Sequence, residues 1–189
     1  MLNNVILCGV GGQGTVLASK LLAAAGMDRG FPVKTAETIG MAQRGGSVFR
    51  HVRIGEGAAS PLIGRGRADL IIAFEPAEAV RQLPYLRSGG TVVVSDKPIV
   101  PVSATVGGPA YDVDAIMAYL RTSVRDLVVV DAAKAATELG STKCLNVVLL
   151  GAATRSGALS LTPSDVEGAI RRLVRPKFLD LNLRALDWR

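Results

Sequence analysis

The residues of this 189-residue chain best suited to chemistry are a run of glycines and one arginine, not an acid, a base or a nucleophile. Gly9-Val10-Gly11-Gly12-Gln13-Gly14 packs four glycines into six residues and satisfies G-x-G-x-x-G through Gly9, Gly11 and Gly14. Between a strand and a helix, such a turn brings backbone N–H groups up to a phosphate. The helix start supplies unpaired donors and a partial positive charge, and glycine permits close approach. A close-packed strand-to-helix turn with no ligand fits the same residues. Arg44, within Gln43-Arg44-Gly45-Gly46, is the second candidate. A guanidinium between flexible residues can clamp a phosphate or carboxylate at two points, or it can lock its loop by a salt bridge. Lys143, at a predicted helix start, and Asn146 beyond it suit either a ligand or a cap, with the structural role favoured for Asn146.

Other chemistry is poorly provided for. The one histidine, His51, lies on a predicted strand without a Ser or Cys partner and reads as structural. Cys8 sits in an apolar strand, where burial raises a thiol pKa. With Cys144 it makes two isolated cysteines, whereas an iron–sulfur cluster takes about four. One histidine also argues against a dedicated zinc site. Aromatics are 4% of the chain, too few for the stacking platforms of single-strand nucleic-acid binders. The net charge of +6, from 22 basic and 16 acidic residues, is scattered apart from Arg171, Arg172, Arg175 and Lys177. That distribution suits small anionic ligands or an acidic partner rather than nucleic acid. No cationic lead precedes the first apolar run, which glycine interrupts, and no stretch approaches a membrane span. The expectation is a reduced, cytoplasmic protein with no membrane segment and no metal of its own.

The elements that must position these residues follow an α/β rhythm within a single domain spanning 1–189. The apolar run Val5–Cys8 is a strand, and from Val16 the spacing of Leu17, Leu21, Leu22 and Ala25 predicts a helix. Phe31–Glu37 reads as a second strand completing a βαβ unit. Its Glu37 lies about 20 residues past the turn, where a Rossmann domain keeps its ribose-binding acid. Thr38–Gly46 is a flexible loop, and Ser47–Ile54 an imperfectly alternating strand expected near a sheet edge. Further strands are predicted at Asp69–Phe74, Thr91–Ser95 and Leu127–Asp131. Helices are predicted from Glu75-Pro76 to Leu86, over 112–122, 132–139 (stopped by Gly140) and 143–156, from Thr162-Pro163 to Val174, and over 178–186. The fold class is α/β: a three-layer α/β/α Rossmann-like domain whose sheet is mainly parallel, with Ser47–Ile54 admitting a mixed one.

The motifs resemble a known family. Gly9-Val10-Gly11-Gly12-Gln13-Gly14 and Met41-Ala42-Gln43-Arg44-Gly45-Gly46-Ser47-Val48 look like the paired motifs of the gamma domain of 2-oxoacid:ferredoxin oxidoreductases. Asn146-Val147-Val148-Leu149-Leu150-Gly151 and Asn182-Leu183-Arg184-Ala185 are similar to that family's C-terminal signatures, so the resemblance spans essentially the whole chain. Met-Ala-Gln-Arg-Gly-Gly most resembles the beta subunit of indolepyruvate:ferredoxin oxidoreductase, where the gamma domain is a separate polypeptide. The resemblance implies coenzyme A-dependent oxidative decarboxylation of an arylpyruvate, with electrons passed to ferredoxin. It places thiamine diphosphate, Mg and the iron–sulfur clusters on a large alpha subunit and leaves this chain inactive alone, with no catalytic residue or metal ligand. No cofactor is expected to be held tightly by this chain. Gly9, Gly11, Gly12, Gln13, Gly14, Arg44, Gly45 and Gly46 are the candidate cofactor-binding residues, because a glycine turn and an arginine would suit the phosphates of coenzyme A, an assignment that rests on residue chemistry and not on the resemblance. Two alternatives stay open: a gamma subunit acting on pyruvate, 2-oxoglutarate or a branched-chain 2-oxo acid, and a free-standing NAD(P)-binding Rossmann protein. A homodimer of the isolated chain, formed through the surface meant for the partner, is also open.

Overall fold

The computed structural model describes residues 2–38, 46–101, 104 and 110–189. Its centre is the first apolar run, which extends to β1 (Asn3–Val10) and is buried along nearly its whole length. A strand with no exposed face must have layers on both sides, and it does. After β1 come α1 (Thr15–Asp28), β2 (Val33–Thr38), β3 (Ser47–Ile54), β4 (Ala68–Ala73), α2 (Pro76–Gln82) and β5 (Leu86–Ser95). Then follow α3 (Val113–Ser123), β6 (Asp126–Val130), α4 (Ala132–Leu139), α5 (Leu145–Arg155), α6 (Pro163–Leu173) and α7 (Leu179–Asp187). The strands form one six-stranded sheet in the order β2-β3-β1-β4-β5-β6. β1, β4, β5 and β6 run parallel, while β3 is antiparallel to both β1 and β2. The mixed α/β sheet is therefore as the sequence allowed.

Ser47–Ile54 lies near the sheet edge, one strand in from it: β3 sits between β2 and β1, pairing Glu37 with Arg50 on one side and Leu7 with Arg50 on the other. The simple βαβ unit needs correction: it is split, since β1 and β2 share a direction but do not touch. The physical reason is visible in burial: Val52 and Ile54 are fully covered, whereas β2 keeps mostly exposed positions suited to an edge. Elsewhere the helix expected to reach Leu86 ends at Gln82, and Leu83–Tyr85 form a 3₁₀ turn around Pro84. Gly89-Gly90 is not a turn before the strand but lies inside β5, where the register shifts between Ala68 and Leu70 and Gly89 takes φ 68°.

One core layer joins Val5, Leu7, Leu70 and Ile72 of the sheet to Ala18, Leu21 and Leu22 of α1, Val148 and Leu149 of α5, Ile170 of α6 and Leu186 of α7. The other joins Ile6, Ile71 and Val92 to Ala79 of α2 and Met117 and Leu120 of α3. Local rules start and stop these helices. Thr162 and Asp165 form a reciprocal capping box ahead of α6, with Pro163 in its first turn. Gly140 ends α4 in the left-handed conformation. The family-like signatures near the C-terminus are packing devices. A Cβ on Gly151 of α5 would be driven into the Leu186 carbonyl of α7, so only glycine lets these helices come so close. Asn182 donates to the Phe178 carbonyl at 2.7 Å, and Ala185 is fully buried.

Candidate functional site

The sheet order reverses at β1. The chain leaves by α1 toward β2 on one side and later continues through β4, β5 and β6 on the other. In open α/β sheets a crevice forms at such a switch point, outside the carboxyl ends of the strands. Here it is a cleft of about 320 Å³ lined by Gly12, Gln13 and Gly14, by Phe74 after β4, by Lys97 and Ile99 after β5, and by Thr142, Lys143, Leu145 and Asn146. The glycine turn thus forms one wall, and two lysines contributed by other connections bring positive charge to it.

Each residue of the turn has a definable task. Gly9 cannot carry a side chain, because a Cβ there would lie 2.6 Å from Gln13 Oε1 and 2.9 Å from Phe74 Cβ. Gly11 donates its N–H to the Gly46 carbonyl at 2.9 Å, which stitches the start of β3 to the turn. Gln13 accepts from Val10 N–H at 2.7 Å and donates to the Phe74 carbonyl at 2.7 Å. Its amide is therefore a staple between the ends of β1 and β4, and its own N–H points back to the Val10 carbonyl. Gly12 and Gly14 take φ of 102° and 83°, which a side chain would oppose, whereas Gly11 is not in that region. Gly14 is the N-cap of α1 without any side-chain cap. The first N–H groups of that helix have no partner within it, and they face the same end of the sheet as the cleft. Asn146, 5% exposed, donates to the Gly14 carbonyl at 3.4 Å and accepts from Val147 N–H at 3.0 Å. It packs the start of α5 against the turn, in keeping with the structural role the sequence favoured. Arg44 and Gly45, together with Met41 and Gln43, lie outside the described residues; Gly46 is described.

Glu37 does not serve as a ribose acid. It is ion-paired with Arg50 across the β2–β3 ladder, and β3 separates its strand from the glycine turn. That geometry removes one of the two features, beside the glycine turn, on which a free-standing NAD(P) reading rested. His51 is 4% exposed, its Nδ1 accepts from Ile63 N–H at 3.3 Å, and its ring lies edge-on to Phe49 and Tyr85. Burial pushes the imidazole below its ordinary pKa, so it is a neutral packing group. Burial, with help from the carboxylates of Glu78 and Glu75, pushes the Cys8 thiol well up; burial also raises Cys144. Neither has thiolate character, and among the described residues no group of His, Cys, Asp and Glu is arranged to hold a metal ion.

Sequence reading missed a pair of buried carboxylates beside the cleft. Glu75 and Glu78 are each 1% exposed. Glu75 caps α2 by accepting from Glu78 N–H at 2.9 Å, and it also accepts from Ile99 N–H at 3.4 Å and from the Tyr111 hydroxyl. Glu78 accepts from Ser47 Oγ at 2.5 Å and pairs with Arg81. Burial, followed by the hydrogen bond to Glu75, drives the Tyr111 phenol well above its ordinary pKa. With every carboxylate oxygen engaged, the pair works as a buried tie between the segments around Ser47, Ile99 and Tyr111. The available signal was Glu75-Pro76, which marks a helix start but not the burial of its cap.

The pyruvate ferredoxin/flavodoxin oxidoreductase family matches residues 4–188. The chain is 43% identical over 184 residues to indolepyruvate oxidoreductase subunit IorB of Archaeoglobus fulgidus, covering 97% of this chain and 91% of that one. It is 38% identical to the subunit of the same name from Pyrococcus horikoshii, covering 97% and 92%. In structure it resembles the gamma subunit of a keto/oxoacid ferredoxin oxidoreductase from Geobacter sulfurreducens, with a TM-score of 0.70 at 21% identity over 98% and 94% of the two chains.

Proposed function

The chain belongs to the pyruvate ferredoxin/flavodoxin oxidoreductase family, and from that premise we propose that it acts as the beta subunit of an indolepyruvate:ferredoxin oxidoreductase. The observation that carries this reading is identity of 36–43% to four IorB subunits along nearly the full length of both partners. Relatives in this family are subunits of multi-subunit oxidoreductases, so this chain works with partner subunits. The finer assignment is ours: a large alpha subunit holds thiamine diphosphate, Mg and the iron–sulfur clusters and passes electrons to ferredoxin. The residues of this chain do not fit an iron–sulfur cluster, since its two cysteines are buried on separate elements. Among the described residues no helix is long and apolar enough to cross a membrane.

Within that complex, the switch-point cleft is the part of this chain suited to coenzyme A. The uncapped start of α1, opened by Gly12 and Gly14, offers backbone donors to a phosphate. Lys97 and Lys143 flank it as point charges. Gly46 is held to the turn through Gly11, and Arg44 and Gly45 immediately precede it in sequence, so Arg44 is our choice for the two-point phosphate clamp. Gln13 and Gly9 keep the turn in shape. In this role the chain binds and orients the acyl acceptor and excludes water from it, while no proton or electron is handled by its own side chains.

The test is co-expression with the large subunit. The purified complex is expected to oxidise indolepyruvate with ferredoxin reduction that depends on coenzyme A, and the isolated chain to do neither. Turnover by the isolated chain, or a clear kcat/KM preference for a non-aromatic 2-oxo acid, would reject the assignment.

A further inference from the structure

A second concavity, about 440 Å³ in volume, lies between the start of α1, the junction of α6 with α7, and the link from α4 to α5. Its floor is apolar, built from Leu17, Leu173, Phe178 and Leu181, and Lys143 and Arg175 stand at its margin. Leu173 is 47% exposed and Phe178 45%, and Val16, next to Leu17, is 43% exposed. Isolated exposed apolar residues need no explanation, but Leu173 and Phe178 exposed together over one apolar floor mark an interaction surface. The sequence had already set apart the basic cluster nearby, which the coenzyme A reading does not use.

That cluster divides in two. Arg171 and Arg172 are taken up by Glu167 and Asp28. Arg175 and Lys177 make no ion pair among the described residues, and neither does Lys143 across the groove. Lys177 instead holds its ammonium 4.9 Å from the centre of the Phe178 ring. An aromatic anchor in an apolar floor, ringed by cations without partners, is the arrangement of an interface core and its rim. A second copy of this chain does not complement it, because a twofold contact would set the same cations against one another. The complement is acidic.

We propose that this groove docks an acidic segment of the large partner subunit that carries at least one large apolar side chain. The inference rests on the proposed function, which supplies that partner. Lys143 lines both the groove and the switch-point cleft, so an acidic segment seated here meets a side chain that also lines the cleft. Subunit docking and anion binding are thereby coupled through one side chain.

The experiment measures assembly of this chain with the large subunit, at low and high salt, by titration calorimetry. Phe178→Asp is expected to weaken assembly roughly 30-fold or more, the loss typical of an interface hot spot. The double variant Arg175→Glu, Lys177→Glu is expected to weaken it about tenfold and to flatten its salt dependence. Both alter exposed side chains, so the isolated variants should melt as the wild type does. If Phe178→Asp proves unfolded, the charge-reversal variant alone decides. Wild-type affinity in the folded variants overturns the docking site while leaving the proposed function standing. A wild-type chain that binds no large subunit overturns both. Self-association that disappears in Phe178→Asp, with assembly unchanged, assigns the groove to a second copy and overturns the proposal.

Discussion

The chain uses glycine for close approach in two places with opposite outcomes. Where α5 crosses α7, Gly151 lets one helix backbone lie on the other, and the surrounding positions are filled by Leu149, Leu150 and Leu186. At the end of β1, Gly12 and Gly14 also bare the backbone, but a Cβ on Gly12 would meet nothing within 4 Å. The first contact is closed by protein and the second is left open toward Lys97 and Lys143. A glycine motif is thus not evidence for a ligand by itself; what separates the two is whether the exposed backbone has already met its partner.

The comparison can be broken first at its closed end. Gly151→Ala pushes a methyl group into a main-chain carbonyl that cannot rotate away. A loss of about 3 kcal/mol is expected, or roughly 6–12 °C in melting temperature for a domain of this size. A melting curve within 2 °C or so of wild type, a shift worth under about 1 kcal/mol, would show that the helix crossing is not tightly packed.

Gly14 sits between the two cases. Its φ is 83°, and a Cβ would lie 2.8 Å from Asn146 Nδ2. Gly14→Ala should cost about 2 kcal/mol, part from the left-handed backbone and part from the collision. Combining it with Asn146→Ala removes only the collision, so a coupling of about 1 kcal/mol is expected in the double-mutant cycle. Strict additivity would assign the whole cost to the backbone.

The smallest effect on folding is expected at Gly12, where Gly12→Ala meets only the backbone penalty of about 1 kcal/mol. Its effect on ligand should be the larger one: thermal protection of the assembled complex by coenzyme A is expected to fall away while the fold survives. Undiminished protection would reduce the open glycines to a turn like any other.

The sequence made most of the frame legible because its signals were local. Val5–Cys8 could only be a buried strand, Thr162-Pro163-Ser164-Asp165 could only open a helix, and Gly140 closed α4 at the residue expected. That Ser47–Ile54 lies between β2 and β1 was not legible, since strand order depends on partners distant in sequence. Glu37 misled for the same reason: its spacing from the glycine turn fits a ribose acid, but spacing does not reveal the strand inserted between them. The glycines and Gln13 announced the turn, yet Gln13's part as a staple to the Phe74 carbonyl depends on a contact 61 residues away. Lys97 and Glu78 carried no motif, Glu75 announced only a helix start, and their placement beside the cleft became visible only when the carboxyl ends of the parallel strands were brought together.

The placement of β3 between β1 and β2 has a consequence for how the chain reaches this structure. β2 and β3 are antiparallel neighbours in sequence, so they can pair locally, as a hairpin does, with little loop entropy to overcome. Joining β4 to β1, or β5 to β4, requires crossover segments to form and pack first. Contact order therefore predicts that β2–β3 pairs before the parallel set assembles, with β1 as the seam. The hydrogen bond from Gly11 to Gly46 lies on that seam. The glycine turn is completed only when the two halves have met, so its shape reports completed folding.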